Sequence, residues 1–144
     1  MKNYKLILQY DGTRYSGWQK QGNTDNTIQA KLETIASKLT GVPTDVNGSG
    51  RTDAGVHALG QVANFRCEES ALPPKFLRSE ETVTDLILDY FNNALPMDVR
   101  VLSVSEAPAR FHARLNAKEK HYRYVIDNAA VPDVFTRRYA ARIP

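Results

Sequence analysis

Of its 144 residues the chain spends one on cysteine, one on tryptophan and two on methionine, and it has no long apolar run. Cys67 alone can form neither an internal disulfide nor a four-cysteine zinc site, and a single free thiol fits a reducing compartment. Its neighbours Glu68 and Glu69 oppose a thiolate, so Cys67 reads as a small packed residue rather than a nucleophile. A membrane helix needs about 20 apolar residues, and the opening Met1-Lys2-Asn3-Tyr4-Lys5 lacks the apolar stretch of a signal peptide. The expectation is a cytoplasmic protein, neither secreted nor membrane-spanning. Neither His57 nor His112 stands at metal-ligand spacing with another His, Cys or paired carboxylate, so no metal is expected. Repeats, low-complexity tracts and breaks in composition are also missing. What remains, 42% hydrophobic and 24% charged residues, has the balance of one ordinary globular domain with a core of its own.

The net charge of +3 is unevenly spread. Between Arg110 and Arg142 eight basic residues stand against three acidic ones, a surplus of five, so the rest of the chain is slightly acidic. A basic C-terminal third fits a polyanionic partner, whose counterions Lys and Arg displace, as well as it fits a merely solvated face.

Tyr4, Leu6, Leu8 and Tyr10 alternate with more polar neighbours and predict a strand ending at Asp11-Gly12. Asn26, three residues before Gln29, reads as a capping-box variant. Ile28, Leu32, Ile35, Ala36 and Leu39 then recur at helical spacing until Gly41 and Pro43 stop them. Short strands are expected at Thr44–Asn47 and Gly60–Arg66, followed by a connection from 67 to 78 containing Pro73-Pro74. Thr82 with Asp85 starts a second helix, whose stripe of Val83, Leu86, Ile87, Tyr90, Phe91, Ala94 and Leu95 ends before Pro96. Val99–Val104 and Lys118–Ile126 read as two further strands. Alternation in the last would put Tyr122, Tyr124 and Ile126 on one face, with Tyr124 in the core. The order predicts an α+β fold: an antiparallel or mixed sheet with two helices on one face, in the split βαβ arrangement seen in RNA-recognition and ferredoxin-like domains.

The chemistry concentrates in Gly48-Ser49-Gly50-Arg51-Thr52-Asp53-Ala54-Gly55-Val56-His57. Glycines permit tight turns and close approach to a ligand, and between them stand a guanidinium, a hydroxyl, a carboxylate and an imidazole. No helical stripe follows, so this is not a dinucleotide fingerprint, and no Gly-Lys-Ser/Thr closes it as a phosphate loop. From its residues alone the run is either a glycine-rich turn capped by Asp53 or a functional loop. Trp18 reads as a core or loop anchor. His57 reads as a hydrogen-bonding residue that orders the loop, and His112 as a weak candidate for any role.

Five ordered motifs resemble the tRNA pseudouridine synthases of the TruA type. They are Tyr10-Asp11-Gly12-Thr13-Arg14-Tyr15-Ser16-Gly17-Trp18-Gln19; Gly50 to His57 with Gly60-Gln61-Val62; Asn92-Asn93-Ala94-Leu95-Pro96-Met97-Asp98-Val99; Phe111-His112-Ala113-Arg114; and Lys120-His121-Tyr122-Arg123-Tyr124. Residues 67 to 81 match no motif of that family.

The resemblance implies Asp53 as the catalytic carboxylate, with Arg51 and Tyr122 binding the substrate nucleotide. The reaction it implies needs no cofactor or metal. A carboxylate can act as a covalent nucleophile; attack on the ribose, attack on the base and abstraction of a sugar proton all remain open. A base in a helical stem must be flipped out first, at a cost of a few kcal/mol, and an aromatic ring such as that of Tyr122 can stack on it. The resemblance further implies tRNA as substrate, at uridines 38 to 40 of the anticodon stem-loop, and a homodimer. It also implies that residues 1–144 form the N-terminal, catalytic-aspartate domain of a longer two-domain synthase, with an arginine partner for Asp53 in the second domain. The competing expectations are a non-catalytic RNA-binding module with the same fold, and a small domain whose glycine loop is purely structural.

Overall fold

The computed structural model describes residues 1–144. Strand β1 spans Lys2–Tyr10 and buries Tyr4, Leu6, Leu8 and Tyr10, while Lys5 and Ile7 are half-buried and Gln9 is exposed. This two-residue period puts one face of the strand on the core. Strands β2 (Asn47–Gly48), β3 (Ala58–Cys67) and β4 (Val99–Ala107) complete a four-stranded sheet in the order β2-β3-β1-β4, with every neighbouring pair antiparallel. Central β1 pairs Leu6 with Ala63 on one side and with Val104 on the other. The register slips near the end of β1, between Leu8 and Tyr10 against β3 and between Ile7 and Leu8 against β4. Such irregularities add twist and re-aim side chains.

Helix α1 (Ile28–Thr40) buries Ile28, Leu32, Ile35, Ala36 and Leu39 and ends at Gly41, whose φ is +76°. Its cap is Thr27, not Asn26: the Thr27 hydroxyl accepts the N–H of Ala30, while the Asn26 amide donates to the Arg14 carbonyl. The long helix α3 (Val83–Ala94) follows the short α2 (Pro74–Arg78) and begins as expected, with the Thr82 hydroxyl accepting the N–H of Asp85. It buries Ile87 and Phe91 and packs against α1 and β4. Phe65 of β3 lies between layers, 5.5 Å from the ring of Tyr4 and 5.8 Å from that of Phe91. The stretch from 67 to 78 is more than a connection, since a 3₁₀ turn at Glu69–Ala71 and α2 carry Leu72 and Phe76 into the core. Cys67 is buried there, and burial pushes its thiol pKa up, as expected for a packed residue. No helix is long and apolar enough to cross a membrane.

The other face of the sheet holds a buried amide pair. The Asn64 side chain donates to Asn3 Oδ1 at 3.0 Å and accepts the N–H of Ala113 at 2.9 Å, while Asn3 donates to the carbonyls of Pro108 and Phe111. These bonds fasten the segment after β4 across the sheet. Replacing Asn64 with alanine strands an amide oxygen and a backbone N–H in a buried site, each costing about 1–3 kcal/mol. We expect a loss of about 3 kcal/mol, read as a lower denaturation midpoint at unchanged m-value.

Lys118–Ile126 is not a strand. Only Ile126–Asp127 (β5) pairs, in parallel, with Ala141–Arg142 (β6), and Lys118–Val125 has no ladder partner. Tyr124, expected in the core, is 88% exposed. Alternation specifies which residues share a face, but a strand also needs a neighbouring edge, and Lys118–Val125 has no ladder beside it.

Candidate active site

The glycine-rich run joins β2 to β3 at the end of the sheet where β1 stops and β3 and β4 begin. It is pinned mainly through its backbone. Trp18 N donates to the Thr52 carbonyl at 3.0 Å and Gly55 N to the Tyr15 carbonyl at 3.3 Å, while Val56 N closes a turn onto the Asp53 carbonyl at 3.1 Å. Gly17, at φ +95°, lets the two loops touch: a β-carbon there would lie 2.6 Å from the Thr52 oxygen. Side chains support the same loop from below. The Tyr10 hydroxyl lies 2.9 Å from Thr52 Oγ1, Ser49 Oγ lies 2.6 Å from Gln61 Oε1, and Gln61 donates to the Gly50 carbonyl at 2.8 Å. Burial pushes the Tyr10 hydroxyl pKa up, against the bonds from Thr52 and Gln61. Trp18 is buried, with its ring against Gly48 and stacked on Tyr10 at 6.4 Å, which makes it the loop anchor expected.

His57 orders the start of β3. Its Nδ1 accepts the N–H of Gly12 at 2.9 Å, which leaves the proton on Nε2, 3.2 Å from the carbonyl of Arg138. Nδ1 also lies 3.3 Å from Asp11 Oδ1, but a nitrogen whose lone pair faces an N–H is no cation donor, so this approach is not an ion pair. Asp11 is satisfied by other groups: the Thr13 hydroxyl and N–H and the Tyr139 hydroxyl donate to it. The Thr13 hydroxyl is the largest influence, and against the effect of burial these donors hold the Asp11 carboxyl pKa down at about 2. Because the folded value lies below the ordinary 3.8, the stabilisation is present above about pH 4 and lost as pH falls through 2. Acid unfolding of an Asp11→Asn variant should therefore show a shallower loss of stability between pH 4 and 2.

A second carboxylate braces the same corner. Arg14 and Tyr15 both donate to Asp98, at 2.7 Å each, so the start of β4 is tied to the turn after β1. Burial would raise the Asp98 carboxyl pKa, but the Tyr15 hydroxyl and the Arg14 guanidinium outweigh it and hold it low. His112 is a turn residue: its Nδ1 accepts the N–H groups of Arg114 and Leu115, and burial lowers its pKa. Sequence reasoning missed the Asn3–Asn64 and Asp98 networks. It also missed the link from Asp11 to Tyr139, residues 128 apart in sequence.

On this braced platform the three candidate site residues behave differently from their surroundings. Arg51 and Asp53 are exposed, and neither side chain makes a hydrogen bond or ion pair. Arg51 therefore offers a guanidinium to a ligand, and Asp53 a carboxylate. Tyr122 reaches over the same loop from the C-terminal segment: a β-carbon on Gly50 would lie 3.5 Å from its hydroxyl and 3.5 Å from Lys120 Nζ. Tyr122 is 60% exposed. Of the eight basic residues between Arg110 and Arg142, only Arg142 pairs with a carboxylate, that of Asp127; Lys120, beside Gly50, is among the seven without an ion pair. No group of three or more His, Cys, Asp or Glu side chains is disposed to hold a metal ion.

A family model described as tRNA pseudouridine synthase matches residues 6–116, from β1 through the anchored turn at His112. The chain belongs to that family. Among curated pseudouridine synthase relatives it is similar to tRNA pseudouridine synthase A of Bacillus sp. (strain KSM-64), with 48% identity over 143 residues, covering 99% of this chain and 54% of the relative. Similarity to tRNA pseudouridine synthase A 2 of Bacillus anthracis is 45% over 143 residues, with the same coverage. For tRNA pseudouridine synthase A 1 of Clostridium tetani it is 46% over 140 residues, 97% of this chain and 53% of the relative. The chain thus spans about half the length of the pseudouridine synthases it matches.

Proposed function

We propose that the protein isomerises uridine in tRNA to pseudouridine. In that reaction the N1–C1′ bond breaks, a C5–C1′ bond forms, the C5 proton leaves and N1 takes up a proton. The observation that carries this reading is Asp53: an exposed carboxylate with no partner in the chain, on a loop whose shape the backbone already fixes. An unpaired carboxylate is available to a reacting nucleotide as a nucleophile or base. Arg51 takes the phosphate or the vacated stack of the flipped nucleotide, and Tyr122 stacks on its uracil. The names of the relatives, all tRNA pseudouridine synthases, support the same assignment.

The finer reading follows the motifs. The substrate is uridine 38, 39 or 40 of the anticodon stem-loop, the protein acts as a homodimer, and its setting is the cytoplasm. Residues 1–144 are the N-terminal domain of a two-domain synthase whose second domain supplies an arginine to Asp53. The coverage of about half of each relative supports that division. The strand order, with β3 between β1 and β2 and antiparallel to both, supports a split βαβ unit.

Tritium release from tRNA labelled at uridine C5 tests the reading directly, because the C5 hydrogen is lost on isomerisation. Release from an anticodon stem-loop labelled at positions 38–40 supports it in full. Tight tRNA binding by the full-length protein with no release at any uridine would favour the non-catalytic binding module instead.

A further inference from the structure

We propose that Asp11 and His57 form a clasp for Arg138 and Tyr139, and that this clasp sets the position of Tyr122 over the glycine loop. The inference rests on the reading of Tyr122 as the residue that stacks on the substrate uracil. Only two hydrogen bonds join residues 118–144 to the rest of the chain, and both lie here: Tyr139 Oη to Asp11 Oδ2 at 2.8 Å, and His57 Nε2 to the Arg138 carbonyl at 3.2 Å. The His57 and Tyr139 rings also meet edge to face, 5.0 Å apart.

The geometry on each side suits a fixed attachment. Thr13 occupies Asp11 Oδ1 with both its N–H and its hydroxyl, which orients the carboxylate and leaves Oδ2 for Tyr139. Gly12 N occupies His57 Nδ1, which fixes the tautomer and aims the Nε2 proton at Arg138. The receiving residues, Asp11 and His57, flank the glycine loop, so the clasp and the candidate catalytic loop share one support.

The segment being held has few other restraints. Lys118–Val125 lacks ladder partners, and its near end is fastened at Ala113 by Asn64. The β5–β6 pair then couples its far end to the clasp: Val125 accepts the N–H of Ala141, two residues beyond Tyr139. Tyr122 is therefore suspended between one anchor at Asn64 and one at Asp11 and His57. Tyr139 acts on the site through Tyr122, as a positioning residue.

The test is Tyr139→Phe in the full-length protein, labelled with 3-fluorotyrosine and with the Tyr122 resonance assigned by its loss in Tyr122→Phe. The variant removes one oxygen from a half-exposed side chain and keeps the ring against His57. The expected result is movement of the Tyr122 ¹⁹F resonance toward that of solvent-exposed tyrosine, with trypsin cleavage at Arg137 and Arg138 about tenfold faster. Turnover of tRNA should fall about tenfold in kcat with KM within twofold, because misplacing a positioning group by about 1 Å can cost up to 10²-fold. An unmoved Tyr122 resonance overturns the clasp, whatever turnover does. A moved resonance with unchanged turnover upholds the clasp and removes Tyr122 from the substrate site. If Tyr139→Phe does not fold, Asp11→Ala answers the same question, since it removes the carboxylate that accepts from Tyr139 and leaves the exposed Thr13 to water.

Discussion

Asp53→Asn is expected to lower tritium release from C5-labelled tRNA by about 10³-fold or more, with tRNA affinity unchanged or tighter. The magnitude follows from the proposed role of Asp53 as nucleophile or base, which an amide cannot fill. Losing a nucleophile or general base that acts only at the reacting centre lowers kcat without weakening substrate binding. The direction for affinity follows from charge, since a negative group facing a phosphate-rich ligand opposes binding and its loss relieves that. The fold should not respond. The Asp53 side chain makes no hydrogen bond or ion pair, and the turn it belongs to is closed by its backbone carbonyl. Thermal unfolding of the variant should therefore overlay that of the parent. A variant that kept release within tenfold of the parent would sink the assignment of Asp53.

Gly12→Ala should do comparable damage by another route. A β-carbon at Gly12 would lie 2.0 Å from the Val56 carbonyl oxygen and 2.7 Å from its carbon, and both are main-chain atoms with no rotamer to yield. Either the turn after β1 or the end of the glycine loop must move. Gly12 N also supplies the hydrogen bond that orients His57, so a shift there disturbs both supports of the loop. Overpacking of this kind costs about 1–3 kcal/mol, occasionally more. We place Gly12→Ala at the top of that range, measured by denaturant unfolding. Activity should fall further than stability, by about 10²-fold, because Asp53 would be displaced by an ångström or so from its target. A fully active Gly12→Ala would mean that the two loops move as one.

Much of this site can be read in the residues, and what cannot has a common cause. Local patterns carried the helices: Thr82 with Asp85, and the Ile28 to Leu39 stripe closed by Gly41, depend on neighbours a few positions away. The pattern points to Asn26 as the cap and is wrong: Asn26 is drawn to the distant Arg14 carbonyl and Thr27 takes its place. The glycine loop was conspicuous in composition, but what holds it is not. Tyr10 meets Thr52 across 42 positions, and Asp98 meets Tyr15 across 83. The buried pair Asn3 and Asn64 looked like ordinary polar strand residues, since nothing local reveals that Phe111 and Ala113 fold back over them. Lys118–Ile126 shows the opposite failure. Its alternation is genuine, but Lys118–Val125 has no ladder partner, and Tyr124 is left in solvent.

The glycine loop takes its shape from main-chain contacts, glycine packing and the supporting residues Tyr10, Trp18 and Gln61, none of which hydrogen-bonds to the side chain of Arg51 or Asp53. Form and reactivity are thus separately heritable in this chain. A lineage could exchange the carboxylate for another small side chain in a single step and keep the folded protein intact. On the proposed function, descent from an enzyme to an inert RNA-binding module would then leave almost no trace in the architecture, only one altered letter among 144.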